Sequence, residues 1–156
     1  MRAPAAIGVV LVALAGCGGH GTSAARKPAG RAVDPKQAAS VIRAWADTLR
    51  KGDVAGAASF FALPSVVENG TPPIELRTRA DARLFNRSLP CGARLLRTSS
   101  AGRFTTATFR LTERPGPGSC GQGSGQTAKT TFVIAGGKIR EWRRVADNPA
   151  PSGPVI

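Results

Sequence analysis

The sequence predicts an α+β domain in which three helices from the first half cover one face of a curved, mostly antiparallel sheet. Three observations lead there. Asp34 to Phe61 carries apolar residues at helical spacing, Ala93 to Val145 alternates apolar and polar residues at strand spacing, and glycines between the later segments mark hairpin turns.

In the first helix Ala38, Val41, Ile42, Trp45 and Leu49 recur at intervals of three and four, giving one apolar stripe. Asp34 supplies a capping acceptor, and Pro35 stands in the first turn, where its missing N–H costs nothing. Gly52 stops this helix. Asp53 caps a shorter second helix, whose Ala57, Phe60 and Phe61 extend the apolar surface toward the breaker Pro64. Ser65 to Asn69 and Ile74 to Arg77 read as short strands, the second with Ile74 and Leu76 on one side. Thr78 and Asp81 make a capping-box start for a third helix that runs through Ser88, buries Leu84 and Phe85 and ends at Pro90. Ala93 to Ser99 and Arg103 to Arg114 form one hairpin, and Thr127 to Ala135 and Lys138 to Val145 form another across Gly136 and Gly137. Ala107, Phe109 and Leu111 share one face, while Thr106, Thr108 and Arg110 share the other, so this strand is expected to be wet on one side.

The beginning of the chain sets the compartment. Arg2 precedes an apolar run from Ala5 to Ala15, too short to span a bilayer as a mature helix but suited to a signal peptide core. The run ends in Leu14, Ala15, Gly16 and Cys17, which resembles the lipobox of bacterial lipoproteins. That resemblance implies removal of residues 1–16, acylation of Cys17 with palmitate-like chains, and anchorage at the extracytoplasmic face of the cell membrane. Residues 17–33 then form the lipidated cysteine and a disordered basic tether with Arg26, Lys27 and Arg31; 34–146 form the domain, and 147–156 a disordered Pro-rich tail. The formal charge of +13 comes mostly from Arg in a chain rich in Ala, Gly and Pro. That composition looks like coding bias of a GC-rich, actinobacterial-type genome, and on an exported chain it does not point to nucleic acid.

Two helices, short strands, a third helix and a run of long antiparallel strands follow one another in order. The segment VIRAWADTLRKGDVAGAASFFA sets a Gly-Asp step between two helices, and GGKIREWRRV puts a final strand after a glycine turn. Over about residues 36 to 146 this resembles the nuclear transport factor 2-like superfamily, the cone-shaped, cystatin-like fold of ketosteroid isomerases and SnoaL-like polyketide cyclases, and more narrowly exported lipoproteins with such a domain. The resemblance implies a pocket between helices and sheet, where the enzymes move protons with a carboxylate, histidine or tyrosine. It also implies a homodimer through the open sheet face.

The chemistry is narrowed by what the chain lacks. It has no tyrosine, and its one histidine, His20, falls in the tether, so only carboxylates remain as proton-moving groups. Asp34, Asp53 and Asp81 are helix caps, Asp47 lies on a solvated face, and Asp147 is in the tail. Glu113 continues the parity of Ala107, Phe109 and Leu111, and Glu141 alternates with Ile139 and Arg143. Either could point inward near Arg110 or Arg143 as a base with its orienter, or stand in an exposed ion pair. Cys91 and Cys120 remain as an even pair in an oxidising compartment and are expected to bond, and no metal or cofactor motif is present. The run PGPGSCGQGSG lacks a following Lys-Ser/Thr pair and helix, so it reads as a hairpin loop rather than a phosphate loop. Trp45, Phe60, Phe61, Phe85, Phe109, Phe132 and Trp142 are the expected core and the walls of any pocket. The sequence reading is a membrane-anchored module that binds an apolar small ligand or an envelope protein. Its rival is a small-molecule isomerase, cyclase or hydrolase acting through Glu113 or Glu141.

Cys17→Ala is expected to move the protein out of the high-salt-resistant membrane fraction, because acyl chains bury about 0.8 kcal/mol per CH₂ whereas a basic tether holds weakly. Unchanged fractionation of the variant would refute the anchor.

Overall fold

The computed structural model describes residues 33–146; the apolar run, Cys17, His20, the tether up to Ala32 and the tail from Asp147 lie outside the described residues. Along the chain come α1 (Pro35–Arg50), α2 (Val54–Ser59), β1 (Phe61–Glu68), β2 (Ile74–Leu76), α3 (Arg79–Ser88), β3 (Gly92–Ala101), β4 (Phe104–Thr112), a 3₁₀ turn (Gly121–Gly123), β5 (Thr127–Ala135) and β6 (Lys138–Val145). The strands form one sheet in the order β2-β1-β6-β5-β4-β3. Only β1 and β6 run parallel. This is the expected α+β arrangement of three helices on a mostly antiparallel sheet. Register slips between Phe61 and Val66, Leu95 and Arg97, and Val133 and Ile134 place bulges in three pairings, and bulges bend and twist a sheet.

The caps work as their residue types require. The Asp34 carboxylate accepts from the Lys36 N–H at 2.9 Å, and that of Asp53 accepts from the Gly56 N–H at 2.7 Å. At α3 the box is reciprocal. Thr78 Oγ1 accepts from the Asp81 N–H at 3.1 Å, and Asp81 accepts from the N–H groups of Thr78 at 2.8 Å and Arg77 at 3.0 Å. These bonds, those to Thr78 foremost, hold the Asp81 carboxyl below its ordinary value.

Three local expectations need correction. The second helix ends at Ser59, so Phe61 opens β1, and Pro64 lies within that strand instead of after the helix. There β1 pairs Phe61 with Ile139 and next Val66 with Glu141, so four of its residues stand opposite Arg140 alone. A bulged stretch tolerates a residue without an N–H. The third helix does not bury Leu84, which is 68% exposed; Ala82 and Asn86 face the core and Phe85 is half-buried. At about 100° per residue Leu84 stands roughly 200° from Ala82, on the opposite side. Finally, Thr108 is not wet, being only 7% exposed.

α1 buries Ala38, Ile42, Trp45, Ala46 and Leu49 against the sheet. Trp45 stands edge-on to Phe61 of β1 (6.3 Å between centroids), Phe109 of β4 (6.3 Å), Phe132 of β5 (5.8 Å) and Trp142 of β6 (6.4 Å). Its indole N–H donates to Asn86 Oδ1 of α3 at 2.9 Å, and Asn86 Nδ2 donates to the Ala82 carbonyl at 2.8 Å. A polar residue thus occupies the core with both ends satisfied.

Asn86→Ala leaves the buried Trp45 N–H unpaired, and the expected loss is about 1–3 kcal/mol, read as a lower urea midpoint at unchanged slope. A midpoint equal to that of the parent would show that the indole finds another partner.

Candidate functional site

Between α1, the segment following α3 and the inner face of β4 to β6 lies a cavity of about 110 Å³. Trp45 and Leu49 form its helix side, Phe109, Ala128 and Trp142 its sheet side, and Leu89, Pro90 and Cys91 its far wall. The register explains the space: Ala128 stands directly opposite Phe109, so a small side chain lies beside a ring where two large ones would meet.

The polar groups of the wall are few. Thr130 is buried, and its hydroxyl makes no hydrogen bond among the described residues. Trp142 Nε1 is likewise buried with no partner. Asn69 and Arg144, less buried, stand at the rim. Among the described residues no Asp, Glu, His or free thiol lines this cavity, and no three His, Cys, Asp or Glu residues cluster as metal ligands.

The far wall is fixed twice. Cys91 and Cys120 are joined by a disulfide with Cα atoms 4.5 Å apart, and Gly123 packs so closely that an added Cβ would lie 3.3 and 3.4 Å from the two sulfurs. Buried Arg114 donates through Nε and Nη2 to the Leu89 carbonyl at 2.9 and 2.6 Å, through Nη2 to Arg87 O at 3.0 Å, and through Nη1 to Pro115 O at 3.1 Å. Burial lowers its pKa from the usual guanidinium value, yet a guanidinium stays charged in water. The glycine-rich loop joins β4 to β5, as expected of a hairpin loop.

Neither candidate carboxylate reaches the cavity. β4 ends at Thr112, so strand parity no longer governs Glu113; its oxygens accept from the Cys120 and Gly121 N–H groups, each at 3.1 Å, and shape the disulfide loop. Arg110 lies on the other sheet face and donates to the Gly125 carbonyl at 3.3 Å. Glu141 is displaced by the bulge: β6 pairs Ile139 with Ile134 and Glu141 with Val133, so Arg140 is the extra residue and the alternation reverses after Ile139. Glu141 therefore shares the outer face with Arg143, whose Nε approaches it at 3.1 Å, and Arg103 approaches it at 3.0 Å. Arg143 also donates to Glu68 at 2.6 Å, and the hydrogen bonds it gives to Glu141 first and Glu68 second raise its pKa. The expected Arg143 pairing exists, but as a surface network.

Of the seven aromatic candidates, Trp45, Phe109 and Trp142 line the cavity. Phe61 and Phe132 are buried core, with Phe60 and Phe85 packed against it. Thr130 was missed although it shares inward parity with Ala128 and Phe132, a pattern the sequence does display.

No family model matches the sequence, and no curated protein matches it. Solved structures do resemble the fold. A proposed polyketide cyclase from Sinorhizobium meliloti aligns with a TM-score of 0.55 at 15% identity, over 72% of this chain and 100% of its own. A SnoaL-like protein from Burkholderia thailandensis aligns at 0.54 and 13%, over 72% and 97%. A de novo designed protein with a curved β-sheet aligns at 0.56 and 14%, over 72% and 86%. At these identities the likeness concerns shape alone, and the shape is the cone-like nuclear transport factor 2-like fold.

Proposed function

We propose that the domain is a non-catalytic binding module, carried on an exported chain anchored through Cys17, and that its cavity takes a small apolar ligand or chain end bearing one oxygen. The observation that carries this reading is the chemistry of the wall: aromatic and aliphatic side chains with two buried neutral polar groups, the Thr130 hydroxyl and the Trp142 N–H, and with Asn69 and Arg144 only at the rim. Proton transfer needs an acid or base within hydrogen-bond reach of the substrate, and Glu113 and Glu141 are engaged elsewhere. The polyketide cyclase resemblance supports the rival, an enzyme of cyclase or isomerase type, but that reading requires a carboxylate at this cavity. Size limits the ligand as well. At about 110 Å³ the space falls below the roughly 300–1,000 Å³ of drug-sized sites and nearer the ~150 Å³ dry cavity that admits benzene, so one ring or a few methylenes fit.

Acetophenone, a single ring with one carbonyl oxygen, is a suitable probe in an NMR titration of the protein. It is expected to shift the Trp142 indole N–H resonance, Thr130→Val to weaken it by roughly fivefold, the value of one neutral hydrogen bond, and Ala128→Leu to abolish binding by filling the space. Glu113→Gln and Glu141→Gln should leave it unchanged. Binding indifferent to Ala128→Leu would refute the site, and a turnover activity lost in either Gln variant would establish the enzyme.

A further inference from the structure

β3, β4 and β5 carry Arg94, Arg97, Arg110 and Lys129 and contain no acid. Leu95, Phe109 and Ala128 are buried on the helix side, and the strand neighbours Arg94, Arg110 and Lys129 are exposed on the other. Register gathers the four cations into one patch. Arg94 stands directly opposite Arg110, and Thr108 lies between Arg97 on one neighbouring strand and Lys129 on the other. Like charges set opposite each other weaken a sheet, so the arrangement has a cost that an anionic partner would remove. The carboxylates of this face, Glu68, Glu75 and Glu141, lie at its β2–β1–β6 end and are already paired, Glu68 and Glu141 with Arg143 and Arg103 and Glu75 with Arg77. Aliphatic side chains accompany the cations: Leu96, at the bulge beside Arg97, is 47% exposed, and Val145, opposite Lys129, is 36% exposed.

We propose that this outer face lies on an anionic lipid bilayer, with the four cations at headgroup phosphates and Leu96 and Val145 reaching into the interface. Basic side chains interleaved with aliphatic ones suit such a surface, the long stems lying along apolar groups while the charges stay in the headgroup layer. A second copy of the chain would set like charge against like. A single-stranded nucleic acid would call for stacking rings among the cations, and the aromatic ring on this face, Phe104, lies under Arg103 instead, 4.7 Å from its guanidinium carbon. Val33, where the preceding chain joins the domain, lines a groove with Val66, Val133 and Glu141 of this same face. An anchor upstream would thus tether the side that carries the charge. The inference depends on neither the cavity nor the acylation of Cys17.

The test uses the processed chain, residues 17–156, with Cys17→Ala, sedimented with phosphatidylcholine vesicles with and without phosphatidylglycerol. Binding is expected to require phosphatidylglycerol and to weaken with salt. Arg97→Glu with Lys129→Glu should reduce the partition more than about tenfold, and Arg97→Gln with Lys129→Gln should reduce it in the same direction at an unchanged melting temperature. Arg83→Glu with Arg87→Glu, the same charge change on the exposed side of α3, should leave it within about twofold. Equal losses from the α3 and sheet variants, or no loss from the sheet variants, would overturn the proposal. So would a patch-dependent dimer in solution, or patch-dependent binding of polyphosphate without vesicle binding.

Discussion

The edge-on contacts of Trp45 are what the remaining structure depends on. One indole on α1 meets rings from four strands and gives its N–H to Asn86 of α3, so helix layer and sheet share a single reference point. Edge-to-face pairs are directional, which makes such a cluster a constraint on orientation as well as an apolar mass. The cavity lies against the same ring because Ala128 is too small to fill the space opposite Phe109.

The two faces of the sheet divide the chemistry. The inner face is apolar apart from a few hydroxyl and indole groups and Arg144 at the rim of the cavity; the outer face carries most of the charge of β3 to β6, partly as the network linking Glu68, Arg143, Glu141 and Arg103. Thr106 and Thr131 hydrogen-bond to each other across the outer face at 3.2 Å, so these hydroxyls belong to the sheet as much as to solvent. A fold shared with a proposed cyclase and with a designed protein fixes this division of space without fixing what fills it.

The sequence showed most where chemistry is local. The Asp34, Asp53 and Thr78/Asp81 caps, the two hairpins and the Cys91–Cys120 pair each rest on a residue type with few alternatives at its position. It showed least where a partner strand decides. The extra residue Arg140 leaves no mark in the alternation of β6, yet it reverses the face of Glu141; the end of β4 at Thr112 likewise releases Glu113 from a parity it had seemed to continue. Asn86 was hidden by its polarity, since a buried amide is recognisable only once its partner Trp45 is placed.

The two ends of α3 answer differently to acid. At its start the cap is a titrating carboxylate: the Asp81 pKa is depressed in the fold, so its contribution is complete above the unfolded carboxyl value and disappears as pH falls through the lower folded one. At its other end the carbonyls of Arg87 and Leu89 are held by the guanidinium of Arg114, which keeps its proton throughout that range. Acid therefore weakens the cap of this helix on the side near β2 while the wall at Leu89 to Cys91 stays clamped, so the cavity keeps its back plate under conditions that loosen the edge of the domain.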